Sequence, residues 1–240
     1  MNFLIQTIDG RVKHDFTFTL LESIEYHNWK KNDMTYQFWD NFNGFEKYGV
    51  YFNEHPATPV GRIDFVTDFL KSIYGLIPIP QNIPIELMKE EYTRRHVFNG
   101  TEKDIVGKKF VKSRDEFKGF TEICESAPEG NYQISDVIDI QSEWRAFVFE
   151  GKLVGLQNYS GKFDLFPNMF EIECMINAYT NSPIAYTLDV GIVKNYSCYN
   201  SYETVVIEVH DFFSVGLYGF SDYRYLPYMF HRWFQDFIKR

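Results

Sequence analysis

The sequence predicts an α+β fold, and three observations predict it. Extended segments dominate the second half and several are joined by tight turns. Helical periodicity appears in only a few stretches. Three prolines, Pro78, Pro80 and Pro84, separate a mixed N-terminal part from the strand-rich remainder.

A short strand is expected at Phe3–Thr7, followed by aromatic-rich segments. A helix is predicted over Ile63–Tyr74, where Phe65, Phe69 and Ile73 form one stripe with Val66 and Leu70 beside it. The proline-punctuated stretch from Gly75 to Pro84 excludes a helix and reads as a linker or the entry to a second unit. Beyond it, Lys108–Ser113, Tyr132–Ile140, Glu143–Glu150 and Lys152–Asn158 read as strands, the last two joined by a hairpin turn at Glu150-Gly151. A helix over Asn168–Tyr179 leads to two alternating runs, Tyr186–Gly191 and Thr204–Asp211, on either side of a polar loop from Lys194 to Tyr202. An aromatic helix near Leu226–Ile238 closes the chain.

Composition bounds the possibilities. With 45% hydrophobic and 19% aromatic residues, the 240-residue chain can build a sizeable core. A net charge of -9 argues against non-specific nucleic-acid binding, while leaving room for a local Lys/Arg cluster around a nucleotide. Cys124, Cys174 and Cys198 show neither disulfide nor zinc spacing. The start lacks the pattern of a signal peptide, and no apolar run approaches the roughly 18 residues of a membrane span. A cytoplasmic protein with no membrane partner is the expectation.

The two late strands hold the sharpest chemistry. In a symmetric hairpin Asp189 lies across from Glu208, and Thr187 across from His210. Two facing carboxylates repel, so either a cation sits between them or the face is an acidic, solvated one. Hard oxygen ligands suit magnesium. Upstream, alternation puts Lys108, Phe110 and Lys112 on one strand face, opposite Lys109, Val111 and Ser113. A loop carrying Lys118-Gly119 follows. Such lysines either neutralise phosphates or are simply solvated; the spacing is not that of a Walker A loop. Glu143 and Arg145 share another strand face, as a phosphate or carboxylate contact or as an ion pair on a sheet edge. There is no nucleophile elbow, and no histidine accompanies the cysteines. His14, His27, His55, His96 and His231 are scattered; His210 alone lies within reach of carboxylates.

The order of these features resembles the ATP-grasp superfamily, in particular the short ATP-grasp domain proteins of bacterial and phage genomes. The residues that carry the likeness are Pro59-Val60-Gly61 with Phe65, Phe110-Val111-Lys112-Ser113, Ser142-Glu143-Trp144-Arg145, Leu156-Gln157-Asn158-Tyr159, Tyr186–Gly191 and Val206-Ile207-Glu208-Val209-His210-Asp211. Each motif is short; their shared order, from about Pro59 to Trp233, makes the match specific. The resemblance implies two α+β lobes with antiparallel sheets clasping a nucleotide. It assigns residues 1–78 to an N-terminal α/β segment and 79–240 to the ATP-grasp domain, with lobes of about 79–140 and 141–240.

By position it implies that Lys112, Lys118, Glu143 and Arg145 contact ATP. Lys118 would lie in a loop over the phosphates, and Arg145 would hold the transferring phosphoryl group. Asp189 and Glu208 would bind magnesium, with His210 where the family usually has Asn; Asp211 or manganese would be the alternative completion. Ser113 stands where Pro is usual. The implied reaction is ATP-dependent ligation of a small-molecule or peptide carboxylate to an amine through an acyl phosphate, chemistry that needs no protein nucleophile. Three alternatives stay open: a kinase on the same scaffold, an inactive or regulatory nucleotide-binding or interaction module, and an all-β binding protein with an acidic surface hairpin.

Overall fold

A computed structural model describes residues 1–40, 44–195 and 201–239. The chain forms two compact units. The first comprises 1–78, 183–186 and 212–240; the second comprises 79–182 and 187–211.

The first unit is built on a parallel sheet. Strands β1 (Asn2–Gln6), β2 (Thr35–Trp39) and β3 (Thr58–Val60) lie in the order β2-β1-β3, β1 pairing in parallel with both neighbours. Phe3, Leu4 and Ile5 of the central strand are all fully buried, because a parallel sheet is covered on both faces. Helix α1 (Asp15–Trp29) links β1 to β2. Its Phe16-Thr17-Phe18-Thr19 start alternates like a strand. The helix forms nonetheless because Phe16, Leu20, Ile24 and His27 recur at helical spacing and are buried. Helix α2 (Gly49–Glu54) precedes β3, and α3 (Ile63–Tyr74) follows it with the bounds expected from sequence. Phe65, Val66, Phe69 and Leu70 are its fully buried face. Gly75, at φ 69°, ends α3 in a left-handed cap: its N–H goes to Lys71 O, the 5→1 bond of an αL motif, and the Leu76 N–H goes to Leu70 O. Rings fill the core; Phe45 and Phe69 meet edge to face at 5.2 Å. Helix α6 (Leu226–Phe237) belongs to this unit, with Phe230 packed on Phe212.

The second unit begins in the proline-rich stretch. After the single-turn helix α4 (Glu90–Thr93), strands β4 (Val97–Thr101), β5 (Lys109–Ser113), β6 (Thr121–Cys124) and β7 (Asn131–Ser135) form an antiparallel sheet in the order β4-β7-β5-β6. Val111, Tyr132 and Ile134 are its buried centre. The strand expected over Tyr132–Ile140 is two strands. β7 stops at Ser135, Asp136 turns away to bond Lys109 and the His96 N–H, and β8 starts at Ile140 in a different sheet. That second sheet runs β11-β10-β8-β9, from β8 (Ile140–Phe149), β9 (Lys152–Gly161), β10 (Ala185–Asn195) and β11 (Ser201–Asp211). Glu150 and Gly151 both have positive φ, 51° and 70°, as a two-residue hairpin turn demands. Helix α5 (Met169–Ala178) is capped by Asn168, whose side chain accepts the Phe170 N–H. The centre of the expected polar loop, 196–200, lies outside the described residues; Lys194 and Tyr202 at its ends belong to the strands. Among the described residues no helix is long and apolar enough to cross a membrane.

Candidate functional site

Alternation along four strands of the second unit gathers one group of charged side chains. Asp189 on β10 is 1% exposed, and the neighbouring strand β8 supplies Arg145, itself buried. The guanidinium donates from Nε to Oδ1 at 2.8 Å and from Nη2 to Oδ2 at 2.7 Å. This is the two-pronged geometry a planar fork gives, and it offsets the cost of burying both charges. Strand β8 is interior to its sheet, so Glu143 and Arg145 do not sit on a sheet edge. Glu143 accepts a hydrogen bond from the Tyr159 hydroxyl at 2.7 Å, and the Tyr159 ring lies 5.7 Å from the Arg145 guanidinium. Burial, then the Asp189 and Glu143 charges, push the Tyr159 phenol far up, so it stays a proton donor.

Glu208 and His210 share a face of β11. Glu208 uses both oxygens: Oε2 pairs with the Lys112 ammonium from β5, and Oε1 meets His210 Nε2 at 2.7 Å. Burial brings the Lys112 ammonium down to about 8. Asp189 opposes that shift and Arg145 adds to it, while the contact with Glu208 favours the charged form. Burial likewise lowers His210 to about 4, so the imidazole is neutral at pH 7. With a carboxylate against Nε2, that nitrogen carries the hydrogen, and the lone pair of Nδ1 has no partner among the described residues.

One ligand atom each from Asp189, Glu208 and His210 lies within 4.8 Å of the others. Each carboxylate has a cation of its own, Arg145 for Asp189 and Lys112 for Glu208, which offsets the repulsion expected between them. The donor set is two hard oxygens and an imidazole nitrogen backed by a carboxylate. That set fits a divalent cation, and the nitrogen suits manganese better than magnesium.

Residues 92–228, more than half of the chain, match a family model for an ATP-grasp domain, family 2 of its clade. The chain belongs to this ATP-grasp family. Among solved structures it is similar to N5-carboxyaminoimidazole synthetase from Staphylococcus aureus, with TM-score 0.53 and 14% identity over 87% of this chain and 72% of that one. The same enzyme complexed with ADP gives 0.52 and 14% over 87% and 70%. The ATP-grasp ligase PsnB complexed with a minimal precursor gives 0.51 and 8% over 96% and 98%. At these identities the likeness is one of fold. No curated protein matches the chain in sequence.

Within this ATP-grasp chain, Lys112, Glu143, Arg145, Asp189, Glu208 and His210 belong to one connected group. Two residues named with them from sequence stand apart. Asp211 is outside the three-ligand cluster: it follows His210 on the strand, and its Oδ2 accepts from Gln81 Nε2 at 3.3 Å. Lys118 is exposed, at φ 55°, in the loop between β5 and β6. That loop folds back tightly, since a Cβ on Gly119 would stand 2.9 Å from the Ser113 Cβ. Lys109 points away from the site and bonds Asp136 at 2.5 Å. Tyr159 is a member that sequence reasoning left without a role. Its signal was present: it follows Asn158 on β9, in the strand hairpinned to the one that carries Arg145.

Proposed function

We propose that this ATP-grasp protein is an ATP-dependent carboxylate–amine ligase whose nucleotide and cation bind at the Lys112, Arg145, Asp189, Glu208 and His210 group. The observation that carries the reading is the pairing of two cations with two carboxylates and a neutral imidazole at one place. Phosphates can take Lys112 and Arg145, and a divalent cation can take the carboxylates and His210 Nδ1, so both sets of charge exchange partners with none left unpaired. The cation would neutralise charge on the phosphates. Glu143, held by Tyr159, would orient the Arg145 fork or accept from the nucleotide, and Lys118, in the loop between β5 and β6, would close over the phosphates. Asp211 is set aside as a ligand.

The reaction class follows from what the residues lack as well as what they hold. No activated protein nucleophile is present in the group, so the attacking atom comes from substrate. A substrate carboxylate oxygen forms a bond to the γ-phosphorus as the bond to the β-phosphate bridging oxygen breaks, giving an acyl phosphate and ADP. An amine then forms the amide bond, loses a proton and expels phosphate. Lys112 and Arg145 hold charge on the transferring group throughout. A small-molecule or peptide acid and an amine are the partners.

Two measurements test the proposal. ATP with magnesium or manganese at about 100 times its dissociation constant should stabilise the fold by roughly 2.7 kcal/mol. No thermal shift at millimolar ATP with either metal overturns it. An ADP-release screen against pooled amino acids and carboxylates should show many turnovers of ADP only when acid and amine are both present, with at most one ADP per enzyme from the acid alone; many turnovers with the acid alone assign a kinase instead. The internal pairing of the charges also favours a second reading, a binding module that stays closed on itself. Nucleotide binding without any ADP release would select it.

A further inference from the structure

Between its prolines, the stretch that reads from sequence as a linker holds a residue tied to both halves of the proposed site. Asn82 is 3% exposed and sits at φ 51°, a conformation Asn tolerates and most side chains do not. Its side-chain Nδ2 donates to the Ser113 carbonyl at 2.9 Å, and its own carbonyl accepts the Val209 N–H at 2.7 Å. Ser113 directly follows Lys112, and Val209 stands between Glu208 and His210. Lys112 and Glu208 belong to different sheets, so no strand ladder fixes the distance between them. Asn82 does so with two hydrogen bonds.

The segment is also held from the Lys112 row. Gln133 is the cross-strand partner of Lys112. Its side-chain amide accepts the Ile83 N–H at 3.0 Å and donates to the Ile83 carbonyl at 2.9 Å, pairing as a strand backbone would. A passive linker would leave its backbone to water; this one is bonded residue by residue into both sheets.

We infer that Asn82 is a positioning residue that sets the spacing between Lys112 and the Glu208–His210 strand, and so the geometry of nucleotide and cation binding. The inference rests on the ligase reading above for what the geometry is used for. Two variants separate its parts. Asn82→Gly keeps the left-handed backbone and deletes the bond to Ser113; Asn82→Asp keeps the size and sets an acceptor against the Ser113 carbonyl. Manganese and ATP affinities are titrated in both, alongside the histidine side-chain 15N shifts of the metal-free proteins, which report the His210–Glu208 hydrogen bond without any ligand.

The expected result is about tenfold weaker manganese–ATP binding in Asn82→Gly, the scale of losing an outer support of a metal ligand, and a changed His210 15N shift. In a Lys112→Ala background the same substitution should cost nothing more, because the spacing it sets no longer has a lysine to place. Affinities within twofold of wild type, or a loss that adds in full to that of Lys112→Ala, overturn the inference. If Asn82→Asp does not fold, Asn82→Gly decides. If the wild type binds neither ligand, the ligase reading falls, and the His210 shift alone judges Asn82: unmoved, it overturns the positioning role.

Discussion

The Arg145–Asp189 pair and the Lys112–Glu208–His210 group carry the same kinds of charge in one site, yet water reaches them differently. Side-chain exposure is 8% and 1% in the first, against 22%, 20% and 28% in the second. The buried pair satisfies itself with two parallel hydrogen bonds between β8 and β10, so a ligand exchanges its partners only at a greater desolvation cost. The half-buried group shares one carboxylate between a lysine and an imidazole, an arrangement that a ligand can enter at less cost. Composition of charge therefore does not say which residues are free to bind; desolvation does.

Breaking the buried pair should have the greatest consequence. Arg145→Met leaves the Asp189 carboxylate in the interior without its ion partner, and unfolding in urea should show a loss of about 3–5 kcal/mol; Asp189→Asn should cost a similar amount. Combining Arg145→Met with Asp189→Leu should recover most of it, because both buried charges then go together. Glu208→Gln, in the wetter group, should cost about 1 kcal/mol or less. If Arg145→Met loses no more than Glu208→Gln, the two regions are equally solvated and the contrast between them fails.

How much of this was legible follows the same divide. Alternation put Glu208 and His210 on one strand face and expected Asp189 near them, as the three-ligand cluster has it, and helical spacing gave α3 its observed bounds. Those are local signals, set by period two and 3.6 along a single strand or helix. Helix α1 was hidden because its Phe-Thr alternation imitates a strand, and only burial against other elements decides it. The strand over Tyr132–Ile140 was over-extended because apolar residues continue through Val137 and Ile138 while the chain changes sheets. Which cation meets which carboxylate was illegible: Arg145 takes Asp189 because β8 and β10 are neighbours in space, a fact of topology. The role of Asn82 was illegible for the same reason.

A more modest effect probes the same contrast through pH. His210 and His231 both have their imidazoles lowered to about 4 by burial, the first in the site, the second where Nδ1 meets the Thr58 hydroxyl at 2.9 Å. In the unfolded chain each titrates near 6.5. Between about 6.5 and 4 the unfolded state binds more protons, so stability is full above 6.5 and falls as the pH drops toward 4. His210 should contribute on the order of 1–3 kcal/mol to that fall, and His231, closer to water, less. His210→Gln and His231→Gln should each flatten part of it in pH-dependent melts of the metal-free protein. A curve unchanged by His210→Gln would show that the imidazole is solvated and charges freely.

The slightest change in stability separates two lysines three positions apart. Lys109 and Lys112 each make one ion pair, Lys109 with Asp136 and Lys112 with Glu208, at nearly equal side-chain exposure, 23% and 22%. Either substitution to Ala should therefore cost no more than about 1 kcal/mol of stability. Their effects on binding should part company. Lys109 shares its face with Val111, at the buried centre of the small sheet, and bonds a carboxylate outside the site. Lys112 stands on the other side of that strand, against Glu208. Calorimetric titration with ATP and manganese should find Lys109→Ala unchanged and Lys112→Ala at least tenfold weaker, the factor that about 1.4 kcal/mol of lost phosphate contact gives. Equal losses in the two would mean that the lysines act through the general field of the sheet, and the specific role of Lys112, with the partner exchange built on it, would go.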